Sequence, residues 1–471
     1  MNEGFTLGRE SGSRPVWLLT AGQVEHWRDT LEPATANWAR VSGFGGEKHR
    51  LLLLPGADGS VRGAAFGLGD VDFPQGIAPL SVAPLADKLP QGHWHVEASL
   101  EPEVATRVLL GWMLGRYRFD RYRTRGGNSL RSVSLAAPPG ADVDFVRRAA
   151  AADALARDLI NTPAADMGPA ELGSAAAQLA TRHGAEFSQL VGDALLEQRL
   201  VAIHTVGRAG PQEPRLLDLR WGDPDRPRLA LVGKGVCFDT GGLDIKPSQS
   251  MALMKKDMGG AACTLGLAHM IMDAGLPVNL RVLVPAVENS VDRRAFRPGD
   301  VIHTRKGLTV EVGNTDAEGR LILADALALA DEEGPDLVLD MATLTGAART
   351  ALGPEVPAMY SNDEKLAVAL AAASRRECDP LWRMPLWQPY DEDINGKVAD
   401  LNNISGHGFA GSVIAALFLQ RFLSAGRSWA HIDLYAWNGR DRPGRPVGAE
   451  AQCIRACYRA IEQRLETSPR I

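Results

Sequence analysis

The sequence predicts an α/β fold: a mainly parallel, doubly wound sheet in the C-terminal part of the chain, preceded by a smaller α/β domain. The chain has 471 residues, which is more than one hydrophobic core usually supports. From residue 228 onward, apolar strand-like segments alternate with helix-like ones, the pattern of a parallel sheet with helices on both faces. Residues 336–346 are apolar almost throughout, as expected for a strand covered on both sides.

The smaller domain is predicted from the first part of the chain. Residues 14–20, 49–56 and 61–70 are short apolar segments next to turn residues, which is typical of strands. Residues 103–119 carry apolar side chains at helical spacing. No cluster of polar residues in these segments indicates chemistry, so we expect the functional site further along the chain.

An alanine-rich run that stops before Pro163 predicts a helix joining the two domains. A second helix is predicted to end at Gly184. Residues 301–307 and 308–314 predict a β-hairpin. The expected organisation is a small N-terminal α/β domain at 1–140, a linker helix at 141–165 and a larger domain at 166–471.

Composition and charge restrict the function classes. The net charge of −6 argues weakly against a nucleic-acid-binding surface. The five cysteines are odd in number and form no CxxC motif, so reduced thiols are expected. The N-terminal segment lacks the apolar region of a signal peptide, and no run of about 18 apolar residues suggests a membrane span. We expect a cytoplasmic protein without a membrane partner, and nucleic acid is not favoured as a partner.

Residues 231–262 carry charge where core residues are expected. A buried strand opens into a glycine-rich loop and then a helix, and four charged residues are distributed along it: Lys234, Asp239, Lys246 and Asp257. Lysine and aspartate are seldom buried unless they are paired or bind metal. This segment therefore indicates half of a functional site.

Residues 314–320, NTDAEGR, have the same character and add Asp316, Glu318 and Arg320. Both segments follow predicted strands, and ligands of parallel sheets bind at the carboxyl ends of strands. Taken singly, each carboxylate is better explained as a turn residue or as the start of a helix. Their clustering in two glycine-rich, otherwise apolar segments favours one metal-dependent hydrolytic site.

Four carboxylates brought together without cations would repel one another and be partly protonated. Two divalent ions that share a bridging carboxylate are the usual remedy. A donor set rich in oxygen, with little nitrogen and no required thiolate, suits Zn²⁺, Mn²⁺ or Mg²⁺. The residues alone do not choose among these ions.

The three cations need separate roles. Lys234 lies between two glycines, and a neighbouring metal would lower its pKa enough for it to bind as a neutral amine. Lys246, beyond a Gly-Gly turn, is a candidate to hold a substrate carbonyl oxygen and stabilise the oxyanion that forms. Arg320 is placed to hold an anion near an activated water.

Three segments together resemble the cytosolic leucine aminopeptidase (leucyl aminopeptidase) family of di-metal exopeptidases, which remove N-terminal residues from peptides. They are VGKGVCFDTGGLDIKPSQSMALMKKDMGGAA, NTDAEGRLILADAL and DMATLTGA. RDLINTP and VADLNNISGHGFAGSVIAALFLQ extend the resemblance over about the last two-thirds of the chain.

By motif, the resemblance implies a role for each charged residue. Five would bind the two divalent ions, Zn²⁺ or Mn²⁺: Lys234, Asp239, Asp257, Asp316 and Glu318. Two would be catalytic, Lys246 by polarising the scissile carbonyl and Arg320 by holding a bicarbonate that acts as general base. Five more would line the substrate cleft: Met254, Asn314, Thr343, Leu344 and Gly346.

The resemblance also implies the wider organisation. Family members are usually homohexamers, with a small N-terminal domain similar to macrodomains and a larger catalytic domain, which here is residues 166–471. Their substrates are peptides with a free N-terminus, whose α-amine binds one metal. That binding explains why they act as exopeptidases.

Three residues inside the site depart from the family pattern: Cys237, Thr240 and Asp244. Asp244 adds a negative charge near Lys246; its carboxylate could bend away or tune the lysine, and we favour the first. Residues 437–452 also lack the usual C-terminal ending of the family, so no strict leucine preference is expected.

Two other functions stay open. A phosphoesterase could use the same metals, although it would favour further Arg or His residues to hold phosphate. A DNA-binding or regulatory family member with weak activity is the second, although the acidic chain argues against it.

Overall fold

The computed structural model describes residues 4–71, 79–124 and 132–467. The chain divides into two compact units. One unit contains Met1–Ala150 and Arg440–Val447, and the other contains Ala151–Gly439 and Gly448–Ile471. The division falls within helix α6, Val143–Asn161, which is the alanine-rich helix that the sequence predicts.

The first unit is a mostly parallel sheet with helices. Its described strands are β1 Phe5–Thr6, β2 Arg14–Thr20, β3 Leu51–Pro55, β4 Val61–Gly69, β5 Gly92–Val96 and β6 Val133–Ala136. Its described helices are α1 Val24–Asp29, α2 Pro33–Val41, α3 Pro79–Val82, α4 Leu85–Lys88 and α5 Pro102–Gly115. The strands lie in the order β1-β6-β5-β2-β4-β3, and β3 is antiparallel to its neighbour β4.

The second unit holds the larger sheet. Its described strands are β7 Glu186–Val191, β8 Arg215–Gly222, β9 Arg228–Gly233, β10 Gly235–Asp239, β11 Asn279–Asn289, β12 Val301–His303, β13 Thr309–Glu311, β14 Leu337–Ala342, β15 Ala358–Ser361, β16 Trp382–Arg383, β17 Leu401–Asn402, β18 Trp429–Asp433, β19 Trp437–Asn438 and β20 Gly448–Ala449. Its described helices after α6 are α7 Pro169–His183, α8 Ala194–Glu197, α9 Val201–Gly207, α10 Ser248–Met251, α11 Gly259–Asp273, α12 Glu318–Asp331, α13 Gly346–Leu352, α14 Glu364–Arg376, α15 Gly411–Gln420 and α16 Ile454–Thr467.

The main sheet has the order β16-β15-β18-β14-β9-β11-β8-β7, and β10 also pairs with β11. Its centre, from β18 through β14 and β9 to β11, is parallel. Towards the edges, β15 and β8 run antiparallel to their inner neighbours. The predicted α/β class with a mainly parallel sheet is therefore confirmed, and so is the predicted hairpin, which is formed by β12 and β13.

Helices cover both faces of the central strands. Ala230 and Val232 of β9 join a hydrophobic core with residues of α9, α12 and α15. Leu229 and Leu231 project from the opposite face and are buried as well. Helix α11 packs against β9 and β14. Burial on both faces explains why these strands read as continuous apolar runs. In the part of the chain that the structure describes, no helix is long and apolar enough to cross a membrane.

A buried charged pair joins two central strands. Asp340 of β14 and His431 of β18 are partners in register, and Nδ1 of His431 lies 2.6 Å from Oδ1 of Asp340. Trp429 donates its indole N–H to the other carboxylate oxygen at 2.7 Å. Burial lowers the pKa of His431, but attraction to Asp340 outweighs it and leaves that pKa above its ordinary value. The pair therefore favours an ionised histidine in the sheet.

Replacing Asp340 should test how much this pair stabilises the sheet. Asp340→Ala leaves a buried imidazole and a buried indole N–H without their acceptor, so we expect the free energy of unfolding to fall by about 3–5 kcal/mol. Urea denaturation monitored by circular dichroism measures it. The control is Glu364→Ala, which removes an exposed, solvent-screened pair with Arg383 and should leave the free energy of unfolding nearly unchanged. Equal losses in the two variants would contradict the role of Asp340.

The same variant has a pH signature. Because the folded pKa of His431 is raised, its contribution to stability is complete below the unfolded value of about 6.5 and is lost as pH rises through the folded pKa. Asp340→Ala should remove that part of the pH dependence. The measurement is the urea midpoint of both proteins from pH 5 to about pH 9.

Candidate metal centre

Lys234 lies at a break between two strands in the centre of the sheet, at the carboxyl end of β9. Strand β9 ends at Gly233 and β10 begins at Gly235, and between them the N–H of Lys234 donates to the carbonyl of Met341 at 3.0 Å. The sequence predicts one strand and a loop here, and β10 is the element it misses. A Cβ on Gly233 would lie 2.7 Å from Cα of Ala261, so only glycine lets helix α11 approach this closely.

The ammonium of Lys234 is buried between two carboxylates. Its Nζ lies 2.7 Å from Oδ2 of Asp257 and 2.9 Å from Oε1 of Glu318, and it donates to the carbonyl of Thr343 at 2.9 Å. Burial alone would lower the pKa of Lys234, but the surrounding carboxylates raise it above its ordinary value. Gly319 makes room for this side chain, because a Cβ there would lie 2.6 Å from Cε of Lys234.

Lys246 occupies the more open side of the cluster. Its Nζ lies 2.8 Å from Oδ2 of Asp239 and also pairs with Asp316. Asp239 is held by two donors to its Oδ1, the N–H of Gly241 and the side-chain amide of Asn289, both at 2.8 Å. Lys246 therefore presents a positive charge beside carboxylates that are themselves positioned by neutral hydrogen bonds.

Three carboxylates converge closely enough to share an ion. Ligand oxygens of Asp239, Asp316 and Glu318 all lie within 4.8 Å of one another. Burial, followed by repulsion from Asp239, raises the pKa of Glu318 to about 8 and that of Asp316 to about 6. Carboxylates arranged in this way are stabilised by a divalent cation, and their hard oxygen donors fit Mn²⁺, Mg²⁺ or Zn²⁺. Asp257 lies outside this triad, and Lys234 links it to Glu318.

Arg320 lies in the first turn of α12, two residues after Glu318. Its guanidinium is buried and donates through Nη1 to the carbonyl of Asn403 at 2.7 Å. Within the described ranges, its Nε has no hydrogen-bond partner. Burial lowers the pKa of Arg320 to about 10. A buried guanidinium with an unused N–H is suited to receive an anion.

A cavity of about 460 Å³ opens beside the carboxylates. Lys234, Asp239, Lys246, Asp257 and Asp316 all contribute to its wall, as do four of the residues expected in the substrate cleft: Met254, Thr343, Leu344 and Gly346. Asn314, the fifth, is not among the lining residues. Its side-chain oxygen instead accepts the N–H of Asp316 at 2.7 Å, which shapes the loop that carries the aspartate.

The three departures from the family pattern have local explanations. Asp244 bends away from Lys246, as expected, because Oδ2 accepts the N–H of Thr315 at 2.7 Å. The hydroxyl of Thr240 donates to the carbonyl of Asn289 and accepts the N–H of Gly242, which a serine hydroxyl could equally do. Cys237 is buried, and burial raises the pKa of its thiol, so it is an inert core residue.

Sequence reasoning missed four residues at the site. Asn289 ends β11, so its position at the carboxyl edge of the sheet was an available signal. The other three line the cavity: Lys256, Arg349 and Tyr435. They come from three separate segments of the chain, so no single stretch of sequence indicates that they lie together. Burial lowers the pKa of Lys256 to about 8.

A second group of side chains could also hold a metal. Nε2 of His183 lies 2.9 Å from Nδ1 of His269, and Asp273 completes a set of ligand atoms within 4.8 Å of one another. None of the three lines the cavity beside Lys234. Metal counting must therefore separate this group from the carboxylate triad.

A parallel α/β sheet with buried carboxylates converging at the carboxyl ends of its strands is the arrangement of a metal-dependent hydrolase. Comparison with known proteins narrows this class. Residues 154–458 match the cytosol aminopeptidase family, catalytic domain, and residues 14–134 match the M17 aminopeptidase, N-terminal domain. The chain belongs to the cytosol aminopeptidase family, and it is a peptidase of the hydrolase class, as the resemblance predicts.

Individual relatives match this chain over most of their own length. A probable cytosol aminopeptidase from Syntrophotalea carbinolica is 42% identical over 78% of this chain and 76% of the relative. The crystal structure of the cytosol aminopeptidase from Coxiella burnetii is 44% identical, covers 98% of this chain and 99% of its own, and has a TM-score of 0.93. The bottromycin maturation enzyme BotP in complex with Mn is 33% identical, with a TM-score of 0.86 over 96% of this chain and 99% of its own.

Asn289 gives the first test of the centre. Asn289→Ala removes the amide that orients Oδ1 of Asp239, so we expect affinity for Mn²⁺ to fall about 10- to 100-fold. Competition with a fluorescent chelator measures this affinity. The matched control is Asn279→Ala at the opposite end of the same strand, where the side chain donates to the carbonyl of Pro224. Unchanged Mn²⁺ affinity in Asn289→Ala would contradict the assignment.

Proposed function

We propose that this protein is a two-metal aminopeptidase that hydrolyses N-terminal residues from peptides. The observation that carries the proposal is the convergence of Asp239, Asp316 and Glu318 beside Lys246, next to a cavity that Asp239, Asp316 and Lys246 line. Membership of the cytosol aminopeptidase family supports the same reaction. Peptides with a free N-terminus are the proposed substrates.

The donor set fits two divalent ions, Zn²⁺ or Mn²⁺. The residues that would hold them are Lys234, Asp239, Asp257, Asp316 and Glu318. When bound, such ions supply Lewis acidity and lower the pKa of a bound water towards neutrality. Binding would also relieve the repulsion that raises the pKa of Glu318 and Asp316. The Mn complex of a structural neighbour supports manganese as one candidate.

Lys246 is proposed to polarise the scissile carbonyl. Its ammonium is held by Asp239 and Asp316 at the cavity wall. Burial alone would lower the pKa of Lys246, but attraction to the carboxylates outweighs burial and raises that pKa above its ordinary value. The side chain therefore stays charged at neutral pH. A fixed positive charge beside the carbonyl oxygen stabilises the oxyanion that develops in the transition state.

Arg320 is proposed to hold an anionic general base such as bicarbonate. Its Nη1 donates to the carbonyl of Asn403, which fixes the guanidinium, and its buried Nε is a donor available to an anion. Hydrogen bonds from a charged, buried donor are stronger than neutral ones. Met254, Thr343, Leu344 and Gly346 are proposed to contact the substrate, and Asn314 to hold the loop beside them.

The organisation of the whole protein is also proposed from the family. Residues 166–471 would form the catalytic domain, joined through a linker helix at 141–165 to the domain at 1–140. The family implies a homohexamer and a cytoplasmic location. Light scattering of the purified protein tests the first, and a value far from six subunits would reject it; fractionation of cells tests the second.

Activity on an aminoacyl chromogenic substrate is the discriminating test. Leucine-p-nitroanilide should be hydrolysed after loading with Mn²⁺ or Zn²⁺. Lys246→Ala should lower kcat by about 10²–10³-fold with metal content near normal, because an oxyanion partner is lost. Lys255→Ala is the control, since Lys255 lies outside the cavity lining and donates to the carbonyl of Asn161. Loss of metal in Lys246→Ala would show that the residue is structural.

The same assay separates the alternatives. A folded, metal-loaded protein that hydrolyses no aminoacyl substrate would reject the aminopeptidase function. Hydrolysis of p-nitrophenyl phosphate would then support a phosphoesterase. Retention on DNA that weakens with salt would support a binding role.

Asp257 tests the number of ions. Asp257→Ala should lose one of two metal equivalents, because Asp257 serves the side of the cluster next to Lys234 and lies outside the triad. The count, by elemental analysis, is best made in a His183→Ala background, which removes the separate histidine group. Two equivalents retained in Asp257→Ala would rule out its role as a ligand.

A further inference from the structure

The cavity wall carries a buried lysine that the proposed chemistry does not use. Lys256 lies in a short 3₁₀ helix, Met254–Met258, and is only 4% exposed. It lines the same cavity as the carboxylates and follows Met254 by two residues. Its charge therefore faces the space that the substrate enters.

The ammonium of Lys256 differs from the other two lysines of the site. Lys234 and Lys246 each pair with two carboxylates. Lys256 forms no ion pair and no side-chain hydrogen bond with any residue in the described ranges. Its neighbour Asp257 is engaged by Lys234 at 2.7 Å. The contact that Lys256 does make is with the ring of Tyr435, whose centre lies 4.5 Å from Nζ.

A second cation shares that ring. The guanidinium of Arg349 lies 5.1 Å from the centre of Tyr435, and its Nη1 is 3.3 Å from the phenol oxygen. Arg349 is exposed and also lines the cavity. It has no carboxylate within ion-pair distance among the residues that the structure describes. Lys256, Tyr435 and Arg349 thus form a positive wall, buried at one end and open at the other.

An uncompensated buried charge is costly, and a contact with an aromatic face offsets only part of that cost. An anion that enters the cavity would recover the remainder. The anion has to come with the substrate, because the nearby carboxylates are engaged elsewhere. Asp257 and Asp239 pair with Lys234 and Lys246, and Asp433 accepts hydrogen bonds from Leu344, Thr345 and Ser412. Lys256 adjoins Asp257, so the part of the substrate within its reach is the part held against the metal ligands.

We propose that the cavity selects peptides whose N-terminal residue has a carboxylate side chain, glutamate or aspartate, and that Lys256 binds this carboxylate. Arg349, at the open end of the wall, donates to the phenol oxygen of Tyr435, and its positive charge attracts the acidic peptide. The inference rests on the proposed aminopeptidase function and names its substrate class.

Glutamate and glutamine differ in charge but hardly in shape, so they provide the test. With the metal-loaded, full-length protein, kcat/KM for Glu-p-nitroanilide should exceed that for Gln-p-nitroanilide by about tenfold or more. Lys256→Met, which keeps length and removes charge, should bring the Glu/Gln ratio towards one. Lys256→Glu should invert the preference and favour Lys-p-nitroanilide over Gln-p-nitroanilide. Lys256→Arg should restore part of the Glu preference.

The neighbouring lysine supplies the matched control. Lys255→Met removes a charge one residue away, but Lys255 is bonded to the carbonyl of Asn161 and does not line the cavity, so the Glu/Gln ratio should not change. Metal content and circular dichroism of every variant establish that it is folded and loaded.

The outcomes distinguish failure of the proposed aminopeptidase function from failure of the proposed acidic preference. If no aminoacyl substrate is hydrolysed, the proposed function fails. If Leu- and Gln-p-nitroanilide are hydrolysed but Glu-p-nitroanilide is no better than Gln, the function stands and the acidic preference is overturned. A Glu preference that survives in Lys256→Met would equally overturn the role of Lys256.

Discussion

Burial of like charges at the carboxyl edge of the sheet is the constraint on which the site depends. Asp316 and Glu318 meet Asp239 where desolvation and repulsion raise the pKa of both Asp316 and Glu318. Two lysines within the cluster, and metal ions when bound, are what make the arrangement tolerable. Two features of the backbone make room for these charged side chains. Strand β9 breaks at Lys234 so that its side chain can turn into the cluster, and Gly319 leaves the space that the lysine fills.

Much of the site could be predicted from the sequence because its charged residues lie in two short segments. Lys234, Asp239 and Asp257 belong to one, and Asp316 and Glu318 to the other, each after an apolar strand. The alternation of strands and helices predicts the parallel centre of the main sheet, from β18 to β11, at which the first segment lies. The second segment follows β13 of the separate three-stranded sheet, so its approach to the first segment is a tertiary contact. Patterns among neighbouring residues were sufficient to predict apolar strands, helix ends and glycine turns, because these features depend on residues that are close together in the chain.

The rest depends on contacts between distant segments, which no local pattern encodes. Asn289 is 50 residues from the aspartate it orients. In the sequence, Asp340 is a single charged residue within an apolar strand. Its partner His431 is evident only from the pairing of β14 with β18. The break between β9 and β10 likewise depends on β14 ending its pairing at Gly233 while β11 continues alongside. A single sequence contains these residues, but register and sheet order decide their partners.

The two halves of the cavity wall differ in how their charges are balanced. On one side, Lys234 and Lys246 are matched by carboxylates of the chain. On the other, Lys256 and Arg349 both contact the ring of Tyr435, and neither forms an ion pair with a residue in the described ranges. Catalysis needs charges held in advance, because a preorganised site does not have to rearrange as the reaction proceeds. Selectivity gains from the opposite condition: a buried charge left unmatched until the correct ligand arrives penalises every neutral competitor. The unbalanced side is therefore where the proposed selectivity for an acidic N-terminal residue would arise.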